Sequence, residues 1–161
     1  MLDKELEASV DAYVAEVWED VVRDIERLVA HPSVADESRG AEGAPYGPEV
    51  RSALDEALAI ARRLGYETGN YDGYMGMADV LGYSERQVAT IAHLDVVPAG
   101  TGWATDPFTM VRRDGWLLGR GVIDDRALPC SRSTPAPTSS GAASSPATRS
   151  APFWAATRKW E

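Results

Sequence analysis

The chain reads as an α/β domain, because two helix-period segments come first and short strand-like segments follow them. The run Val88-Ala89-Thr90-Ile91-Ala92 has the small and branched composition of a strand buried on both faces of a helix-covered sheet. His93 stands at the end of that run, where open α/β sheets place their ligands.

The first helix is marked by Leu6, Val10, Tyr13, Val14, Val17, Trp18, Val21, Val22, Ile25, Leu28 and Val29. These recur at three- and four-residue steps, the stripe of one long amphipathic helix. His31-Pro32 ends it, since a proline disfavours the helical region for the residue before it, and His31 reads as a solvated cation at the helix end. Ser33 to Pro45 is polar and contains glycine, as a surface loop should be.

A second helix is predicted from Pro48, where a missing amide proton costs nothing in the first turn, through Val50, Leu54, Leu58 and Ala61 to a cap at Gly65. Strand character then appears at Glu67 to Tyr71, Met77 to Tyr83 and Val88 to His93, with Gly73, Gly76 and Ser84-Glu85-Arg86 between them. Asp106 and Asp114 read as turn residues beside Pro107 and Gly115. The five tryptophans read as packing groups, with Trp103 a candidate to line a site.

Composition narrows the function. With 25 acidic residues against 16 basic ones, the formal charge of −9 argues against nucleic acid, which demands a surplus of Lys and Arg. No basic stretch leads into an apolar run near Met1, so neither a secretory signal nor a membrane anchor is expected, and cytoplasm is the expected compartment. Cys130, the single cysteine, can form no internal disulfide, and no second cysteine or histidine stands beside it to suggest a thiolate zinc site.

The residues that carry chemistry are His93-Leu94-Asp95-Val96-Val97-Pro98, then Gly102-Trp103, Asp106-Pro107-Phe108, Asp114-Gly115 and Gly119-Arg120-Gly121-Val122-Ile123-Asp124-Asp125. In an alternating segment His93 and Asp95 project to one side. A histidine so placed can bind a metal through one ring nitrogen while the carboxylate orients the ring through the other. A His-x-Asp triplet taken alone is weak evidence, and a structural or surface role is the commoner account of it.

Here the triplet does not stand alone. The run from His93 to Asp125 resembles the dinuclear zinc peptidase and deacylase family that contains acetylornithine deacetylase, succinyl-diaminopimelate desuccinylase, carboxypeptidase G and dipeptidase V. Tyr46-Gly47-Pro48 before a helix and Asp95-Val96-Val97-Pro98-Ala99-Gly100 resemble the dipeptidase V branch most closely. The resemblance implies a three-layer α/β/α catalytic domain, of which residues 1–127 would be the N-terminal part.

It also implies two zinc ions, with His93 as ligand to one, Asp124 bridging both, and Asp95 acting at the catalytic centre by orienting His93. Small peptides or N-acyl amino acids are the implied substrates. A bridging carboxylate suits two cations about 3.5–4 Å apart because it partly neutralises their repulsion. Asp125 is expected to face away from the metals and Arg120 to be structural. The same pattern demands a Glu-Glu pair, another acidic ligand and a second histidine further on, and the sequence does not supply them. The expected product is a truncated, inactive fragment. The alternative is a non-enzymatic interaction module or a half-enzyme completed in trans.

From Leu128 to Glu161 the composition shifts to Ser, Thr, Pro, Ala and Gly, and no apolar period survives. Such a segment buries too little surface to offset its ordering entropy, so a disordered tail is expected over 128–161. A slipped reading frame would account for it. Taken from the third base of each codon, Arg126 to Pro135 can encode Gly-Pro-Ala-Leu-Leu-Ala-Leu-Tyr-Ala, and Phe153 to Glu161 can encode Leu-Gly-Cys-Asp-Glu-Glu-Val-Gly. In the second string the Leu and both glycines are forced by the code, and the Glu-Glu pair is permitted.

Overall fold

The computed structural model describes residues 4–80, 87–127 and the backbone of 149–155. Helix α1 spans Lys4–Val29 and helix α2 spans Pro48–Arg63, with Pro48 in the first turn and Leu64 at the C-cap. Only the second half of α1 is buried. Val22, Ile25, Leu28 and Val29 face α2, whereas Leu6, Val10, Val14 and Trp18 continue the same stripe into solvent. The apolar face of α2, centred on Leu54 and Leu58, lies on strands β1 (Glu67–Tyr71) and β2 (Met75–Asp79). Gly76 permits that approach, because a Cβ there would meet Leu54 Cδ1 at 2.7 Å.

Strand β3 runs Gln87–His93, and a hairpin follows from β4 (Val111–Arg113) and β5 (Trp116–Leu118). Asp114 and Gly115 turn it with φ of 51° and 80°, the pair of positive angles that a tight two-residue hairpin turn needs. This hairpin was not expected from the sequence, since three-residue strands show too little alternation to detect. The second strand differs from its expected Met77 start, and the expected 81–83 portion lies outside the described residues.

The main sheet has the order β1-β2-β6-β3, where β6 is Arg149–Ala155. It is mixed: β1 with β2 and β2 with β6 are antiparallel, while β6 with β3 is parallel and sets His93 opposite Ala155. Residues 149–155, within the stretch expected to be unstructured, have strand backbone here. Of the remaining tail, 128–148 and 156–161 lie outside the described residues.

Ala78 and Ala92 join the helices in one core with Leu28, Val29 and Leu54. On the other face Ile91 is 67% exposed. Among the described residues, then, α1 and α2 cover one side of the sheet and its opposite side is open. The described residues thus form an α/β sheet with helices on one face. No helix among the described residues is long and apolar enough to cross a membrane.

Candidate metal centre

Two chain segments meet at the carboxyl end of β3. The first is the strand end itself, His93, with the loop through Asp95. The second is an irregular turn, Val122–Arg126, in which Asp124 and Asp125 leave helical geometry and are joined by a cis peptide bond. Gly121 leads into the turn at φ 87°, and a Cβ there would lie 2.8 Å from Val96 Cγ1 and 3.0 Å from Arg126 Cδ.

The sequence-predicted residues do come together. His93 Nε2 is 3.0 Å from Asp124 Oδ1, and His93 Nδ1 is 3.0 Å from the backbone carbonyl of Asp95. The Asp95 carboxylate reaches Nδ1 at 3.5 Å, an ion-pair contact rather than a hydrogen bond. Asp95 is therefore beside His93 as expected, but the backbone oxygen provides the closer acceptor.

The ring has an anionic neighbourhood. The Asp95 carboxylate above all, with its carbonyl and Asp124 assisting, holds the His93 imidazole up to about 9 against the opposing effect of burial. Asp124 is largely exposed, so it can present carboxylate oxygen to solvent while it faces His93.

Asp125, expected to face away from the metals, is buried, and its Oδ2 accepts from the backbone N–H of His93 at 3.3 Å. The two consecutive aspartates thus engage opposite ends of one histidine. His31 departs from expectation. It is half-buried with Nδ1 2.9 Å from Ser52 Oγ, and burial pushes its imidazole below the usual range, so it is not a solvated cation.

A cavity of about 310 Å³ opens beside the pair, lined by His93, Asp95, Trp103, Leu117, Arg120 and Asp124 among others. Trp103 Nε1 and Arg120 Nη2 both donate to the Ala99 carbonyl, at 2.8 and 3.0 Å, and the guanidinium lies 5.3 Å from the Trp103 ring centroid. Asp106 caps its turn as expected, accepting from Phe108 N and Thr109 Oγ1.

An imidazole and a carboxylate converging on one point are donors that a zinc ion accepts. Among the described residues, however, no group of three or more His, Cys, Asp or Glu side chains could hold a metal ion. The fit is that of half a site, because stable zinc centres use three or four protein ligands.

Residues 89–128 match the peptidase family M20/M25/M40. "Putative dipeptidase YtjP" of Bacillus subtilis is 36% identical over 108 residues, covering 67% of this chain and 23% of that protein. A Staphylococcus haemolyticus protein of the same description is 37% identical over 106 residues, covering 66% of this chain and 22% of its own length. The chain thus spans under a quarter of the curated relatives it matches.

Among solved structures, human carnosine dipeptidase 1 superposes with a TM-score of 0.69 at 19% identity, covering 92% of this chain and 34% of that one. An M20 family metallo-carboxypeptidase from Sulfolobus solfataricus gives 0.60 at 12%, covering 84% and 30%. Residues 89–128 thus match the model of peptidase family M20/M25/M40, and the chain has the fold that these solved dipeptidase and carboxypeptidase structures show over about a third of their length.

Proposed function

We propose that His93, Asp95 and Asp124 form half of a zinc-dependent dipeptidase centre that the chain does not complete by itself. The observation that carries this is the 3.0 Å approach of His93 Nε2 to Asp124 Oδ1 at the carboxyl end of β3, beside an open cavity. His93 and Asp124 would hold the metal, and Asp95 with its own carbonyl would keep the imidazole turned toward it. When bound, zinc supplies Lewis-acid activation for hydrolysis of a dipeptide or N-acyl amino acid. The cavity wall of Trp103 and Leu117 suits an apolar portion of such a substrate.

Residues 1–161 do not contain the downstream acidic pair and second histidine that the resemblance calls for, and a frame slip after Arg126 would account for this. Strand β6 supports this reading. It lies in the interior of the sheet yet carries Pro152 opposite Thr90, and a proline gives no N–H to a ladder. In the shifted frame the codons from Phe153 onward permit an apolar strand end followed by Glu-Glu. The register of Ala155 with His93 would bring that pair to the same edge of the sheet. On this reading, residues from Ala127 onward were not selected as protein.

The second reading, a half-enzyme completed in trans, is favoured by the open face of the sheet and the exposed stripe on α1.

Zinc-dependent hydrolysis of a small dipeptide panel tests the proposal, with His93→Ala and Asp95→Ala as controls. No turnover by this chain and turnover after restoring the shifted frame are expected. Turnover by the chain alone that either substitution abolishes would overturn the incomplete-site reading. Resequencing the nucleotides around Arg126 tests the slip directly.

A further inference from the structure

We propose that Ser33 and Arg126 are positioning residues that lock the His93–Asp95 segment against the Asp124 turn. Both side chains are fully buried, and Ser33 lies outside the sequence motif that points to the metal. Arg126 Nη2 donates to the carbonyl of His31 and, at 2.6 Å, to Ser33 Oγ. Ser33 Oγ in turn donates to the Leu94 carbonyl at 2.6 Å, and the Ser33 carbonyl accepts from Val96 N at 3.0 Å.

Ser33 therefore grips the residues on either side of Asp95. Arg126, two residues past Asp124, bonds through its own N–H to the Gly121 carbonyl at 2.9 Å and so closes the turn that presents Asp124. One serine and one arginine join both segments of the candidate centre to the end of α1.

Stability alone does not account for this arginine. A guanidinium without water is costly, and an apolar side chain of similar volume would often be at least as stable. Among the described residues, Arg126 Nε and Nη1 have no hydrogen-bond partner, which adds to the cost. What the arginine provides is directional: two N–H groups on one nitrogen, aimed at two acceptors in the 31–33 turn. A buried polar network kept at such expense fits a role in fixing geometry.

The consequence for a metal rests on the proposed zinc reading, but the linkage itself does not, so the test has two arms. In the first, amide hydrogen exchange is followed in segments 93–97 and 121–126, with 53–61 in α2 as reference, for the full chain and for Ser33→Ala, Ser33→Thr and Arg126→Lys. Ser33→Ala is expected to speed exchange in the two site segments about tenfold while 53–61 is unchanged, and Ser33→Thr, which keeps the hydroxyl, to restore it. Unchanged exchange in the site segments, or equal acceleration of all three, overturns the proposal. Should Ser33→Ala not fold, Arg126→Lys carries the same pair of outcomes.

In the second arm, Co²⁺ binding is read by visible absorption. About tenfold weaker binding in Ser33→Ala supports the positioning role, and equal binding overturns it. If the parent chain binds no Co²⁺, the same comparison is made in the chain restored to the shifted frame, whose failure to bind would overturn the zinc reading, while the exchange result still decides the Ser33–Arg126 linkage.

Discussion

His93 Nε2 and Asp124 Oδ1 lie 3.0 Å apart although 31 residues separate them, and the same histidine's backbone N–H is held by Asp125. A strand end and an irregular turn are thereby fastened at two points of one residue. The imidazole is fixed from behind and its outer nitrogen is directed at a carboxylate.

Asp124→Asn preserves the shape of this contact and removes the charge. Co²⁺ affinity, measured by titration of the visible absorption, is expected to fall by at least about tenfold. Unchanged affinity would remove Asp124 from the ligand set.

The two histidines impose opposite pH dependences on stability in the metal-free chain. His31 is depressed by burial, so on acidification below about 6.5 the unfolded state takes up the proton first and stability is lost. His93 is raised to about 9, so its contribution is fully present below about 6.5 and is lost as pH rises through about 9. Urea midpoints of the parent chain relative to His31→Gln should decline from pH 7.5 to 5. Those relative to His93→Gln should decline from pH 6 to 10. A flat difference in either series contradicts the corresponding assignment.

Gly121→Ala places a methyl group into Val96 and Arg126 at a φ of 87°. A loss of ~1–3 kcal/mol in urea unfolding is expected, accompanied by weaker Co²⁺ binding because Asp124 must move with the turn. Stability equal to the parent chain would show that the turn relaxes freely.

Helix α1 should behave as two halves. Ile25→Ala, in the buried half, is expected to cost ~2–5 kcal/mol, whereas Val10→Ser, on the exposed half, should lie within about 0.5 kcal/mol of the parent chain. Urea denaturation of both variants checks this. A large loss for Val10→Ser would mean that its stripe is covered in solution, as the trans-completed reading requires.

The elements that were legible in the sequence are those with local causes. Helix α2 begins at Pro48 and stops beside Gly65 because a first-turn proline and a positive-φ glycine act within a few residues. His93 falls at the end of β3 because an apolar run of that length can be recognised without its partners. The Asp114-Gly115 turn was visible as a turn, but β4 and β5 were not, since their three residues each depend on one another for pairing.

From sequence, Ser33 falls in a polar loop and Asp125 is expected to face away from the metals. Their roles come from hydrogen bonds spanning 61 and 32 residues, which no local pattern announces. His31 followed the same logic. A helix-end histidine looks solvated until Ser52, from α2, is placed beside its ring.

By itself, then, the sequence determined the order and periods of the main elements, the acidic character, and the choice of His93, Asp95 and Asp124 as candidate site residues. Tertiary structure alone decided that the backbone carbonyl of Asp95 is the nearer partner of His93 and that half of α1 stays exposed. It also decided that a buried serine and arginine join the two site segments. The division is physical. Helix and strand periods are set by neighbours along the chain, whereas the burial and hydrogen-bond partners of a polar group depend on segments that meet only after the chain has folded.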